Sequence, residues 1–294
     1  MKTPLPPRDG ISASSVQLTR GPWRTVLEFL EARFPEISPA AWWSRLERGL
    51  VVDGSGQRID TDTAYVEGSV IHYYRELDAE TPIPFEAGIL FRDEHLLVAD
   101  KPHFLPVMPA GRYLQQTLLV RLKKQFGLEH LVPLHRIDRG TAGVVVFSCN
   151  PQTRGLYQTL FPRREMEKVY EAVAPTLPAE HFPLTHRSRL VEGEPFFRMR
   201  EIDGAPNTET QIELLETRGA LSLYRLRPVT GKKHQLRVHL AALGAPIIND
   251  PFYPELIEQA DDDFSRPLKL LARALAFDDP LTGERRRFES RRAL

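Results

Sequence analysis

The sequence predicts an α+β protein in two unequal parts, a small N-terminal unit and a larger one that carries the chemistry. Three observations lead there. Apolar residues recur at helical spacing in some stretches and alternate or run together in others, so helices and strands are interleaved. A proline-rich connector, Thr81-Pro82-Ile83-Pro84, separates two stretches of patterned sequence. The 294 residues, 41% of them hydrophobic, can bury one substantial core and leave a small module beside it.

Residues 1–20 mix Lys2, Arg8 and Arg20 with Pro4, Pro6, Pro7 and Gly10, lack the apolar core of a signal peptide, and read as a flexible tail. Between Trp23 and Phe34, Val26, Leu27, Leu30 and Phe34 mark a helix. A second begins near Ser38, with Pro39 in its first turn. Leu50 to Val52, Asp53-Gly54 and Tyr65 to Tyr73 read as strands around turns, closing a 21–80 unit. The larger part, 81–294, opens with Ile89-Leu90-Phe91, a turn at Asp93-Glu94 and Leu96-Leu97-Val98, a strand pair entering a sheet. Thr117 to Phe126 is an amphipathic helix. Val144 to Phe147 is a buried strand, and Asn150-Pro151 supply a cap and a first-turn proline for a helix reaching about Phe161. From Met166 to Ala174 strand alternation sets Lys168 and Tyr170 on one face and Val169 and Val173 on the other. Leu221 to Leu226 is another strand. A helix from about Lys233 to Leu243 stops at Gly244, where a left-handed C-cap is favoured, and Leu270 to Phe277 closes the core as a strand. No internal repeat or low-complexity tract interrupts this order.

Composition excludes more than it selects. Lysine plus arginine equal aspartate plus glutamate at 39 each, so the bulk charge indicates no nucleic-acid partner. The single Cys149 can form neither an internal disulfide nor a thiolate metal cluster, which fits a reducing, cytoplasmic compartment. The most apolar windows fall short of the roughly eighteen-residue run of a membrane helix, so no membrane association is expected.

Chemistry concentrates in three places. His135-Arg136-Ile137-Asp138-Arg139-Gly140-Thr141-Ala142-Gly143 puts one carboxylate between two guanidinium groups in a glycine-containing loop before a buried strand. Flanking arginines favour the ionised aspartate, and an ionised carboxylate can act as a nucleophile on an electron-poor carbon. Such a loop is also the commonplace form of a surface ion-pair cluster. Thr230 to Leu240 adds a turn entering a helix, and from Arg225 to His239 there are five basic residues and no acidic one. That is a local basic patch of the kind that binds a nucleic-acid backbone, unless acids such as Glu255, Glu258, Asp261, Asp262 and Asp263 balance it. On the Lys168-Val169-Tyr170 strand an ammonium and a phenol share one face, a platform for an unstacked base or an ordinary packed tyrosine.

In their order, and over nearly the whole chain, these pieces resemble the RluA-type family of RNA pseudouridine synthases. The family's His-Arg-Leu-Asp-Arg signature with its following glycine is matched by His135 to Gly143, with Ile137 for leucine and Ala142 for serine. Its Lys-x-Tyr strand is matched by Lys168 and Tyr170. Its Thr-Gly-Arg-Thr-His-Gln-Ile-Arg-Val-His segment is matched by Thr230 to His239, with Lys232-Lys233 replacing arginine and threonine. Asp93 to Pro102, Gly244 to Ile247 and Pro280 to Glu284 are similar as well, whereas Met108 stands where many relatives carry histidine and Asn249-Asp250 replaces a commoner Gly-Asp. Residues 21–80 resemble an S4-type RNA-binding module through Ser44-Arg45-Leu46 and Gly49 to Gly54, with fewer basic residues than such a module usually offers.

The resemblance implies a catalytic domain on a mixed, mostly antiparallel sheet with a central basic cleft. It implies RNA as the partner, ribosomal RNA favoured by the S4-like unit and transfer RNA as the alternative. The implied reaction is isomerisation of uridine to pseudouridine, with no metal or other cofactor expected in its balance. The catalytic carboxylate falls on Asp138, acting at the sugar anomeric carbon or at the base, and its arginine partner on Arg237. Tyr170 would stack on the base and assist loss of its carbon-5 proton. Arg136 would occupy space left by a flipped uridine, and His135, Arg139, Lys168, Lys232, Lys233, His234 and Gln235 complete the expected substrate-binding set. A non-catalytic RNA-binding protein of the same fold would show a damaged aspartate, tyrosine or arginine, and all three are present. A glycoside hydrolase would need a second carboxylate facing the first, and none is framed. Oligomeric state is not written in the sequence.

Overall fold

Five strands and helices build the first unit of the computed structural model, which describes residues 3–77 and 79–294 and divides into Met1–Glu80 and Thr81–Leu294. In chain order they are β1 (Ser14–Gln17), α1 (Val26–Arg33), α2 (Pro39–Glu47), β2 (Val51–Asp53) and β3 (Val70–Tyr73). The strands form an antiparallel sheet in the order β1-β3-β2. Helix starts obey local chemistry. Thr25 accepts from the Glu28 N–H ahead of α1, and Ser38 accepts from the Ala41 N–H ahead of α2, whose first residue is Pro39. Phe29, Leu30, Trp42, Val51 and Ile71 fill the space between helices and sheet. Residues 14–17 lie within the stretch read as a flexible tail, yet they pair with β3, and Leu18 behind them is buried. Four residues, Ser-Ser-Val-Gln, are too few and too polar to announce a strand. The expected Tyr65–Tyr73 strand is confined to its last four residues, because Gly68 takes a positive φ and ends the extended run.

The second unit contains β4 (Gly88–Arg92), β5 (Leu96–Lys101), α3 (Leu118–Phe126), β6 (Val132–Pro133), β7 (Ala142–Ser148), α4 (Arg154–Thr159) and β8 (Glu167–Pro175). There follow β9 (Leu184–Glu192), β10 (Met199–Ile202), β11 (Thr208–Arg218), β12 (Leu221–Pro228), α5 (Gln235–Ala242), β13 (Leu270–Asp278) and β14 (Arg285–Glu289). Its sheet runs β10-β9-β11-β12-β8-β13-β7-β5-β4, with β14 on β13 and β6 on β7. Every pairing is antiparallel except β13 with β7, so the sheet is mixed and mostly antiparallel, an α+β fold. At the parallel junction Gly143 has φ +112°, and a Cβ there would lie 2.2 Å from the Ala272 carbonyl oxygen, so only glycine lets the two strands meet.

The helices pack on this sheet through separate apolar clusters. Leu118 and Leu122 of α3 meet Leu97, Val145 and Phe147; Tyr157 of α4 meets Val144, Val146 and Phe277; Leu236 and Leu240 of α5 meet Ala172, Tyr224 and Leu226. Each such buried side chain contributes about 1.5–3 kcal/mol, which holds the strand ends and α5 in fixed register. Asn150-Pro151 do not start a helix. The Asn150 side chain accepts the Gln152 N–H in a local turn, and α4 begins only at Arg154. No helix among the described residues is long and apolar enough to cross a membrane.

Candidate active site

A cavity of about 320 Å³ opens where the loop before β7, the start of β8 and the turn before α5 converge. The loop brings Asp138, β8 brings Lys168 and Tyr170, and the turn and helix bring Lys232, Lys233, His234, Gln235 and Arg237. Residues 99 positions apart meet in its wall: Arg237 Nη1 donates to Asp138 Oδ2 at 2.9 Å.

The loop is held from below. Lys101, fully buried at the end of β5, donates from Nζ to the carbonyls of Pro102, Leu105 and Arg139 at 2.9, 2.7 and 3.1 Å. His103 bonds the Gly140 carbonyl, and the Thr141 N–H returns to the Asp138 carbonyl. These contacts fix the backbone on both sides of Asp138 while its carboxylate stays 30% exposed to the cavity.

Arg237 is held from behind. Its Nε and Nη2 donate to Asp250 at 2.7 and 2.6 Å, a bidentate pair with the aspartate side chain fully buried, and Asp250 also accepts the N–H groups of Phe252 and Tyr253. The guanidinium lies over the Phe252 and Tyr253 rings at 4.9 and 5.3 Å. His234, at φ +54°, turns the chain into α5, with Nδ1 on the Tyr253 hydroxyl at 2.9 Å and Nε2 3.8 Å from Asp138. Gln235 is engaged in the fold. It accepts from the Thr230 hydroxyl and the Lys232 N–H and donates to the Glu209 carbonyl and Thr210, leaving no side-chain group for a ligand.

Charge in the cavity follows. Burial would raise the Asp138 pKa, but the charge and hydrogen bond of Arg237, with the charges of His234 and Lys101, together outweigh it, and the carboxyl lies below its usual range. His234 contributes only when protonated, and burial pushes it down to about 4, so Arg237 is the principal partner at neutral pH. The flanking arginines are not that partner. Arg136 is exposed, lines the cavity and has no hydrogen bond or ion pair among the described residues. Arg139 turns away: it donates to Phe104 O, Tyr113 Oη and Asp261 O and does not line the cavity. Tyr170 is raised by burial and then by Asp138, so the phenol stays protonated, and its hydroxyl makes no hydrogen bond among the described residues. Burial lowers Lys168, whose ammonium has no acceptor among the described residues. His135, pushed down to about 4 by burial, accepts the Val146 N–H at Nε2 and so holds the loop to β7 as a neutral ring.

Arg225 and Arg227 do not line the cavity, and they share the single carboxylate of Glu213 rather than pairing with the acids at 255–263, so one of their two positive charges remains. The cations that open into the cavity are Arg136, Lys168 and Lys232, with Lys233 at the rim. His186, Glu201 and His239 bring one ligand atom each within 4.8 Å of one another. His186 already donates to Glu201 at 2.9 Å, and His239 Nε2 lies on the Ser188 and Thr208 hydroxyls, a network that seats α5 on the sheet. Lys101, Asp250 and Tyr253 were absent from the sequence-derived set. Asp250 lay in plain view as an unusual Asn-Asp pair, but nothing in the sequence linked it to Arg237.

Comparison with known proteins places this architecture. Residues 95–242, half of the chain and the span that holds Asp138, Tyr170 and Arg237, match the family model described as RNA pseudouridylate synthase. The uncharacterized RNA pseudouridine synthase slr1592 of Synechocystis is 29% identical over 78% of this chain and 79% of its own. The dual-specificity RNA pseudouridine synthase RluA of Haemophilus influenzae is 27% identical over 73% of this chain and 97% of its own. Among solved structures, human RNA pseudouridylate synthase domain containing 1 shares the fold with a TM-score of 0.59 at 23% identity, covering 73% of this chain and 86% of that one.

Proposed function

Because the chain belongs to the RNA pseudouridylate synthase family and is an RNA pseudouridine synthase of the RluA type, we propose that Asp138 is its catalytic carboxylate, acting on a uridine flipped into the cavity. The observation that carries this is the Asp138–Arg237 contact, a partly exposed ionised carboxylate whose cation is fixed from behind by Asp250. The reaction breaks the bond from the sugar to N1 of uracil and forms one to C5. The C5 proton is lost and N1 gains one, so atoms balance without water or a redox partner. Asp138 supplies the nucleophile and Arg237 holds it ionised and oriented. Tyr170 offers a ring face and a neutral hydroxyl; its raised pKa argues against a base that removes the C5 proton and for stacking on the uracil. Arg136, with no partner among the described residues, is suited to fill the space left in the RNA, and Lys168, Lys232 and Lys233 to meet phosphate or carbonyl oxygen.

Ribosomal RNA is the proposed substrate, and the first unit is proposed as an S4-like RNA-contact module. Within that unit Arg45 and Arg48 are already paired with Glu76, so its help to binding is modest and the second unit dominates. Transfer RNA is the second reading, favoured by two similar proteins of Saccharomyces cerevisiae that are named as tRNA pseudouridine(31) and tRNA pseudouridine(32) synthases. A pseudouridine map of total RNA from cells with and without the gene separates them. The proposal expects a site that vanishes and returns with the intact gene but not with Asp138→Asn; pseudouridine formed by Asp138→Asn protein would sink the assignment.

A further inference from the structure

The turn joining β9 to β10, residues 193–198, carries two adjacent phenylalanines, Phe196 and Phe197, with opposite surroundings. Phe197 packs inward, 5.2 Å from Phe252, which in turn lies 5.5 Å from His234 and under the Arg237 guanidinium. The tip is thereby fastened to the cavity wall through a chain of rings. Lys233, which lines the cavity, reaches back with Nζ 3.5 Å from the Phe196 carbonyl oxygen. Phe196 itself is 81% exposed, with its ring 5.7 Å from Phe197 and nearly perpendicular to it. A scattered exposed apolar residue needs no explanation. This one stands on a braced tip at the rim of the cavity that takes the uridine.

We infer that Phe196 is a stacking platform for an unpaired RNA base adjacent to the target uridine, an inference that rests on the proposed RNA reading of the cavity. Charge on the turn narrows the contact to the ring face. Glu192 and Glu194 are exposed beside Phe196 and repel phosphate, and Arg198 beyond it is turned onto the Pro254 carbonyl and the Tyr253 ring, whereas Lys232 and Lys233 across the rim attract phosphate. The backbone of the RNA therefore follows the lysines, and a base turned outward meets the phenyl face, as bases do on aromatic side chains in single-strand sites.

The test is the affinity of the full chain for a fluorescein-labelled RNA stem–loop with an all-uridine loop, measured by anisotropy over a range of salt. A second stem–loop keeps one loop uridine and makes its neighbours abasic. Phe196→Ala is expected to weaken binding of the first RNA by roughly 5- to 150-fold with the salt slope unchanged, and Phe196→Trp to retain it. Lys233→Ala, by contrast, is expected to lower the slope. Abasic neighbours should cost the wild type the same factor and cost Phe196→Ala nothing further. Equal affinity of wild type and Phe196→Ala, or an equal abasic loss in both, overturns the platform alone. A Phe196→Ala protein that binds RNA normally but changes mass in light scattering assigns the ring to a protein contact and also overturns it. A wild type that binds neither stem–loop at low salt removes the RNA reading along with this one.

Discussion

Asp250→Asn tests whether the cavity's cation is positioned from behind. Arg237 has a side chain 4% exposed and three donors in use, two to Asp250 and one to Asp138. In the amide variant Oδ1 can still accept from Arg237 Nη2, Phe252 N–H and Tyr253 N–H, but an NH₂ group faces the Nε–H that Oδ2 now receives at 2.7 Å. One charge-assisted bond, about 1.5–3 kcal/mol, becomes a donor–donor contact, and the upper limit for a broken buried pair is about 3–5 kcal/mol. Burial of both groups leaves little solvent to screen the change, so a loss of about 2–4 kcal/mol is expected. At about 2–4 °C per kcal/mol for a domain of this size, the melting temperature falls by roughly 4–16 °C. The guanidinium, released on that side, turns toward Asp138 and engages both carboxylate oxygens. Assayed well below its melting point, by release of tritium from RNA labelled at uridine C5, the variant should lose kcat by at least about tenfold while KM moves little. An Asp250→Asn enzyme that melts within a degree of wild type and turns over within twofold refutes the positioning argument.

Further outcomes follow from the same contacts. Lys101→Met removes the ammonium from three buried carbonyls and should destabilise the second unit by at least about 3 kcal/mol, read as a shifted urea midpoint with unchanged slope. Gly143→Ala places a methyl group 2.2 Å from the Ala272 oxygen and should prevent soluble expression, whereas Gly155→Ala, where a Cβ meets nothing within 4 Å, should be silent. Acid should unfold the protein early. His135 and His234 titrate at about 4 and His239 at about 3 in the fold, against about 6.5 unfolded, so the unfolded chain binds more protons as pH falls through that window. Stability is therefore full above about pH 6.5 and lost at up to about 1.4 kcal/mol per pH unit for each ring, levelling off below about 4 for His135 and His234 and below about 3 for His239. A urea titration series from pH 7 to 4 that shows a flat midpoint contradicts the neutral, buried state of these rings.

What the sequence disclosed and what it withheld divide along one physical line. Signals confined to a short window were legible: the helix start near Ser38, the helix from Thr117 to Phe126, Gly244 at a helix end, Val144 to Phe147 as a buried strand, and the order of the three motifs that converge on Asp138. Groups whose meaning lies in a distant partner were not. Arg136 and Arg139 flank Asp138 in sequence, and proximity along the chain made them its expected counter-charges. In the fold the counter-charge is Arg237, 99 residues away, a partner that the family resemblance implied and the residues read by themselves did not, because the loop turns Arg139 into the Phe104–Tyr113 pocket and leaves Arg136 facing the cavity. Glu213 was equally invisible as the partner of Arg225 and Arg227, since only the β11–β12 pairing sets it opposite them. β9 and β11 escaped for a related reason. Their alternation is diluted by His186, Ser188, Thr208 and Thr210, polar residues directed at α5, so the strands that seat the helix lack the apolar pattern by which strands are found. The polar side chains that blurred the strand signal hold the helix carrying Arg237. The less legible parts of the sequence are thus the supports of the site, and the Asp250→Asn measurement falls on one of them rather than on the motifs that announced it.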